Sequence, residues 1–443
     1  MKLLIFLAAS LTAAHAGTVD PALLDPVEHK GETEAILELP QIMGQVEANQ
    51  ALQSLTGDAK VSALITTLKG LTSAAQAPFI SIAASLGLTT EPYWASNIIL
   101  VKGLTPDKLA SLASTPGEFT LRAQNIATIP PQETGAEFNA DMNQNTPQLG
   151  VAQIRAPVAW ANNITGEGVV VGIIDTGVNN AHVAFNQSFA GVWLDPYYNR
   201  PGPSDQQGHG TRCAGIIFGR ENGVGVAPGA RYVACSGLNH QGSGPEAVII
   251  RCAQYLMTET PRPHIINNSW GGGSNNTWFN AAISAWRNAG IIPVFPVGSW
   301  ASSATCRSAI SPGDQPNVIS VGATTEIDAR SIDSARGPSL DGLLKPEVSA
   351  PGSNIVSCGV GANDYVVASD VTLAGPHVSG AIALILSAHP TWIFDEIYNA
   401  LAKSAAHPTL SSEDRTCGFP GPHDYPNYSF GYGRIDVAAA LGL

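Results

Sequence analysis

Val169-Val170-Val171-Gly172-Ile173-Ile174 is a six-residue run with no polar interruption, and it stops at an ionisable residue, Asp175. A strand that is apolar at every position, rather than at alternate ones, has to be covered on both faces. Further strands are predicted at 231–235, 265–267, 291–297 and 318–321. Between two of them Phe279, Ala282, Ile283 and Trp286 form a helical stripe, which ends at the capping glycine Gly290. Strands alternating with helices indicate an α/β fold, a parallel sheet flanked by helices, over residues 145–443. In such open sheets ligands bind beyond the carboxyl ends of the strands, which is where Asp175 stands.

The chain before this region has a different texture. Met1-Lys2, an apolar stretch from Leu3 to about Ala13 and the small-residue site Ala14-His15-Ala16 have the pattern of a secretory leader over 1–16, cut after Ala16. No later segment approaches the roughly 20 apolar residues of a membrane span, so a secreted, extracellular protein with no membrane partner is expected. Residues 17–125 read as a small α+β module. Val61, Leu64, Ile65 and Leu68 repeat at helical spacing, and Ile98-Ile99-Leu100-Val101 is a buried strand. Thr105-Pro106 opens a helix carrying Leu109 and Leu112, and Phe119, Leu121 and Ala123 alternate as a strand. Residues 126–144 are polar, contain Pro130-Pro131 and lack periodicity, as expected of a linker with a processing site.

Lys and Arg number 22 against 35 Asp and Glu, a net charge of -13 that repels polyanions and excludes nucleic-acid binding. Cys213, Cys235, Cys252, Cys306, Cys358 and Cys417 form an even set that allows up to three bridges in an oxidising compartment, and sequence alone does not choose the pairing. Cys213 lies four residues after a histidine, which raises a thiol nucleophile; a buried or bridged cysteine is the commoner outcome on a helix interior. No compact acidic loop marks a calcium site, and no metal or cofactor is evident.

Three segments carry chemistry. Asp175-Thr176-Gly177 follows the apolar strand, Gly208-His209-Gly210-Thr211 sets a histidine between small residues, and Thr372 stands just ahead of Ala374-Gly375-Pro376-His377-Val378-Ser379-Gly380. An aspartate after a strand is often only a turn residue, and a lone histidine is more often structural. Acid, base and hydroxyl in this order, each at the end of a strand or the start of a helix, form a nucleophilic triad pattern.

These segments, with Asn267-Asn268-Ser269-Trp270-Gly271-Gly272-Gly273 and Lys345-Pro346-Glu347-Val348-Ser349-Ala350-Pro351-Gly352, resemble the subtilase family in its bacillopeptidase F-like branch. The resemblance runs from about residue 145 to the end. It implies a subtilisin-like fold that hydrolyses peptide bonds, with Asp175 orienting His209 and His209 taking the proton of residue 372. It also implies that Ser269, Trp270 and Gly271 form one backbone edge of the substrate cleft and that Val297 and Gly298 wall the specificity pocket. A polypeptide substrate or peptide ligand is expected, with the 17–125 module as a chaperone-like pro-domain and intramolecular inhibitor, and a monomer.

Two positions depart from that pattern. The family's Gly-Thr-Ser turn is replaced by Asp370-Val371-Thr372, and its Ala-Gly-Asn segment by Val297-Gly298-Ser299. The β-methyl of Thr372 crowds the face that a scissile carbonyl must approach. Asp370, at a glycine position, is expected to disturb the turn, and Ser299, at the oxyanion position, is one atom short of an asparagine amide. Lost or strongly reduced proteolysis with a surviving peptide cleft is the leading expectation. An endopeptidase attacking through Thr372 is the alternative.

Overall fold

A computed structural model of the chain describes residues 17–30, 32–130, 146–298, 305–418 and 424–443. The leader at 1–16, most of the linker and Ser299 lie outside the described residues. The chain divides into two compact units, residues up to 48 with 66–124, and residues 49–65 with 125–443.

The smaller unit is a five-stranded sheet with helices. Its strands are β1 (Thr18–Val19), β2 (Thr33–Glu38), β3 (Thr89–Tyr93), β4 (Ile98–Leu104) and β5 (Thr120–Arg122), in the order β1-β5-β2-β4-β3. The apolar run at 98–101 forms β4, and all four of those residues are buried. Its longer helices are α1 (Pro21–Lys30), α2 (Gly57–Ser85), whose residues up to 65 fall in the larger unit, and α3 (Pro106–Ala113). Phe79 and Ala83 on α2 and Leu109 and Leu112 on α3 join Leu37, Ile99, Val101 and Leu121 in one core. α2 runs 29 residues, well past the stripe at 61–68.

The larger unit is built on seven parallel strands. In chain order these are β7 (Val170–Asp175), β8 (Phe189–Leu194), β9 (Arg231–Ser236), β11 (Ile265–Asn268), β12 (Ile292–Pro296), β13 (Ile319–Thr324) and β14 (Val348–Pro351). The short strands β6 (Ile126–Thr128) and β10 (Ser243–Pro245) pair with each other outside this sheet. The sheet order β14-β13-β12-β11-β7-β9-β8 places β7 inside the sheet, and every residue of that strand is buried. The uninterrupted apolar run follows from this position. Each fully buried Val or Ile side chain contributes about 1.5–3 kcal/mol to a core of this kind. The edge strands β8 and β14 escape a periodicity reading because Gly191 interrupts the first and the second is four residues ending in Pro351.

Four helices matter for the site: α4 (His209–Phe218), α5 (Glu246–Thr258), α6 (Asn280–Asn288) and α7 (Ala374–Ala388). α7 is buried continuously from Ala374 to Leu386. The stretch Val371–Ala388 is long and apolar enough by composition to cross a membrane, contrary to the sequence expectation, and it is 89% buried inside the unit as a core helix. Two disulfides form, Cys235–Cys252 and Cys306–Cys417. Cys213 and Cys358 are buried free thiols, so the third bridge that an even count allowed is not made.

Candidate active site

Asp175 ends β7, at the carboxyl edge of the sheet, and is fully buried. Its Oδ1 accepts the N–H of Thr176 at 2.7 Å and faces His209 Nδ1 at 2.8 Å. His209 is the first residue of α4, entered through Gly208 at φ 101°, a conformation open to glycine but strained for side chains. A neighbouring carboxylate fixes this entry. Asp205 accepts the N–H groups of Gln207, Gly208 and Thr211 and the Thr211 hydroxyl, at 2.7–3.0 Å. Gly210 is needed for close approach, because a Cβ there would lie 2.0 Å from the Gly177 carbonyl oxygen.

Thr372 sits in a 3-10 turn, Val371–Leu373, that feeds directly into α7. Its Oγ1 lies 2.9 Å from His209 Nε2, so the carboxylate, the imidazole and the hydroxyl form one continuous buried hydrogen-bonded line. In the neutral imidazole, Nδ1–H donates to Asp175 and Nε2 accepts the Thr372 hydroxyl. Beneath the turn runs a second line: Ser379 Oγ donates to Asn267 Oδ1, Asn267 Nδ2 donates to Ser269 Oγ, and Ser269 Oγ donates to the Thr372 carbonyl at 2.9 Å. The Asp370 backbone is extended, φ -169° and ψ 147°, a conformation any residue adopts, so the substitution leaves the turn unstrained. The Asp370 carboxylate instead accepts the Thr372 N–H at 2.7 Å.

Burial opposes charge on His209, and the Asp175 carboxylate outweighs it, holding the imidazole well above its ordinary range. Burial pushes the Cys213 thiol up against the pull of His209, which leaves it protonated and a poor nucleophile. Its Sγ stands 3.9 and 4.0 Å from the two ring nitrogens. The ligand atoms of Asp175, His209 and Cys213 lie within 4.8 Å of one another, a metal-like spacing. Both nitrogens of His209 are already engaged, so an ion there would have to displace either Asp175 or Thr372 from the ring.

A short strand pairs beside the site, against Gly271. β6 pairs antiparallel with β10, in the register Thr128↔Ser243, Ala127↔Gly244 and Ile126↔Pro245. On its other side Thr128 N–H donates to the Gly271 carbonyl at 2.9 Å, and Gly271 N–H returns a bond to Thr128 at 3.1 Å. Ile129 N–H adds a bond to Gly242 at 3.0 Å. Asn125 is anchored by Glu246 at the start of α5, through its N–H and Nδ2 at 3.1 and 2.7 Å. Alternate residues point inward, with Ala127 and Ile129 buried and Ile126 exposed. The first residues of the stretch read as a linker are therefore a β-strand of the larger unit.

The sequence-derived cleft residues contribute through backbone as much as side chain. Trp270 is 1% exposed and its indole donates to the Ile174 carbonyl at 3.0 Å, so its side chain is committed to the core, whereas Gly271 makes the pairing with Thr128. Val297 packs in the core, and Gly298, at φ 124°, lies against Ile310. Sequence reasoning missed Asp205, the Asn267 line and the capping by Asp370. Each is a polar side chain whose partner lies in a turn or another segment, and no local periodicity marks it.

A model of the subtilase family matches residues 166–433. Over 371 residues the chain is 31% identical to bacillopeptidase F of Bacillus subtilis (strain 168), an alignment that takes in 77% of this chain and 24% of that protein. It is 32% identical over 265 residues to subtilisin E of Bacillus subtilis (strain 168), covering 58% of this chain and 66% of the relative. Against the subtilisin of Bacillus pumilus the figures are 32% over 298 residues, 66% of this chain and 97% of the relative. The chain thus spans about a quarter of bacillopeptidase F and less than two thirds of subtilisin E. With a family domain matched over more than half of its length, carried by a seven-stranded parallel sheet with Asp175, His209 and Thr372 at one edge, the chain belongs to the subtilase family.

Proposed function

We propose that this chain is an exported subtilase homologue that holds an extended polypeptide in its cleft and has lost, or strongly reduced, proteolysis. The observation that carries the reading is the pairing of residues 126–129 on both sides, with Gly271 and with 242–245, beside a threonine at the reacting position. Main-chain pairing of this kind supplies affinity that does not depend on ligand sequence. In hydrolysis, His209 would take the Thr372 proton as the hydroxyl attacks the carbonyl, then return it to the leaving amine. The threonine methyl narrows the approach, and an error of about 1 Å in placing the attacking atom costs on the order of 10²-fold.

The chain's own segment serves as the resident ligand, and the module at 17–125 acts as an inhibitor in cis. Carried two residues beyond Thr128, the antiparallel register sets position 130 opposite 269, where the residues are Pro130 and then Pro131. A bond between two prolines has no N–H on either side and a ring on its leaving nitrogen, which makes this occupant hard to cut. Export is supported by the leader pattern and by two disulfides.

An endopeptidase attacking through Thr372 is the second reading, and the 2.8 and 2.9 Å contacts of His209 favour it. Self-processing separates the two. The chain lacking its leader and its Thr372→Ala variant are made in a protease-deficient host, and the N-terminus of each product is read. Both are expected uncut and unlabelled by an organophosphorus hydrolase probe. Cutting or labelling of the wild type alone overturns the inactive reading.

A further inference from the structure

Acyl transfer from a peptide builds negative charge on the former carbonyl oxygen, and the backbone N–H of the nucleophilic residue is one of the donors that meets it. In this chain that donor is already taken. The Thr372 N–H points to the Asp370 carboxylate at 2.7 Å, the length of a charge-assisted bond. Asp370 is 4% exposed, and its backbone is held by its own N–H on the Gly352 carbonyl at 2.8 Å and by its carbonyl under the Leu373 N–H at 3.1 Å.

We propose that the Asp370 carboxylate is an internal stand-in for the oxyanion: it occupies the Thr372 N–H and places negative charge where the reaction would develop it. Asp370 is thus a positioning residue that acts through Thr372, and the proposal rests on the reading of impaired proteolysis given above. The two substitutions reinforce each other. Thr372 obstructs the attack, and Asp370 withdraws a donor from the product of that attack. Loss of one such donor costs about 10²- to 10³-fold in turnover in proteases of this fold. Burial pushes the Asp370 carboxyl up, while the bonds from Thr372 and the His209 charge oppose that shift and a further carboxylate, Asp333, adds to it. The same hydrogen bond also caps the short turn at 371–373, so a structural role has to be separated from a chemical one.

A pair of ligands makes that separation. A peptide boronic acid is attacked at boron by the hydroxyl of residue 372, whose proton passes to His209, giving a tetrahedral anion that needs the oxyanion donors. The same peptide as a carboxamide binds the cleft without forming that anion. The ratio of the two affinities cancels binding of the peptide itself: loss of the cap, which can only misplace the attacking hydroxyl, lowers the ratio or leaves it unchanged, whereas release of the donor raises it. In a Thr372→Ser background, Asp370→Ala is expected to raise the ratio by at least 10-fold, and Asp370→Asn, which loses the charge but keeps an acceptor, by about 3-fold. An unchanged ratio in folded Asp370→Ala overturns the proposal; should that variant not fold, an unchanged ratio in Asp370→Asn does so. Full peptidase activity from Thr372→Ser alone also overturns it and leaves the role of Thr372 standing. A fully active wild type overturns the impaired reading instead, and the ratio then decides the Asp370 proposal separately.

Discussion

Two buried histidines of the larger unit carry opposite pH signatures. His377, on α7, is 1% exposed and donates from Nδ1 to the Leu373 carbonyl at 2.9 Å. Burial is the main influence on it, the hydrogen bond opposes, and its pKa falls to about 4. The folded value lies below the unfolded value of about 6.5, so the stability it contributes is present above pH 6.5 and is lost as pH falls toward 4, by up to about 3 kcal/mol. Urea midpoints between pH 7 and pH 4.5 are expected to drop, and His377→Gln to show a shallower drop. Equal slopes in the two proteins would sink this assignment. His209 has the reverse sign, because the Asp175 carboxylate raises it. Its contribution is complete below about pH 6.5 and fades as pH rises through the raised folded value, while the neutral imidazole that can accept the Thr372 hydroxyl appears only on that same rise.

At the scale of elements, the deciding arrangement is the slot that holds β6. β6 lies between β10 and Gly271, and the slot exists because glycine stands where the strand comes nearest. A Cβ at Gly272 would lie 2.6 Å from the Ile126 carbonyl oxygen, and one at Gly242, already at φ 73°, would lie 2.5 Å from the Ile129 side chain. Gly272 has no such φ, so Gly272→Ala tests the close approach without backbone strain. It is expected to lift β6 and to lower the hydrogen-exchange protection of the Thr128 and Ile129 amides by about 10-fold, leaving α7 unaffected. Unchanged protection at those amides would show that the strand is not held by this contact.

Across the whole molecule, the larger unit ties separate segments by covalent links. Cys306–Cys417 joins residues 111 apart, and Cys235–Cys252 joins residues 17 apart, from β9 to α5. Closing the longer loop restricts the unfolded chain more, and removing such a bridge costs on the order of 2–5 kcal/mol. The double substitution Cys306→Ser/Cys417→Ser is expected to lower the thermal midpoint by several degrees, and a reductant to have no further effect through that bridge. An unmoved midpoint would mean that the native contacts around 306 and 417 hold the loop alone. Lys345 is fully buried, with Nζ 2.6 Å from Glu347 and 2.7 Å from the Gln315 carbonyl, so this segment of the family resemblance is a paired core charge.

Local pattern in the sequence determined the class of the fold. The uninterrupted apolar run at 169–174 supplies most of β7, the stripe at 279–286 marks α6, which ends before Gly290, and 98–101 opens β4, because burial on one or both faces imposes its period on adjacent residues. Asp175, His209 and Thr372 were equally readable as residue types at the ends of such elements. Tertiary structure alone decided that they meet in one line, that four of six cysteines pair, that 126–129 pairs with Gly271 and 242–245 and that Asp370 turns to the Thr372 N–H. Most of these are contacts between segments far apart along the chain, and the last is a side-chain orientation set by burial. Neither kind leaves a period in the sequence, since each is chosen by the packing of the finished fold.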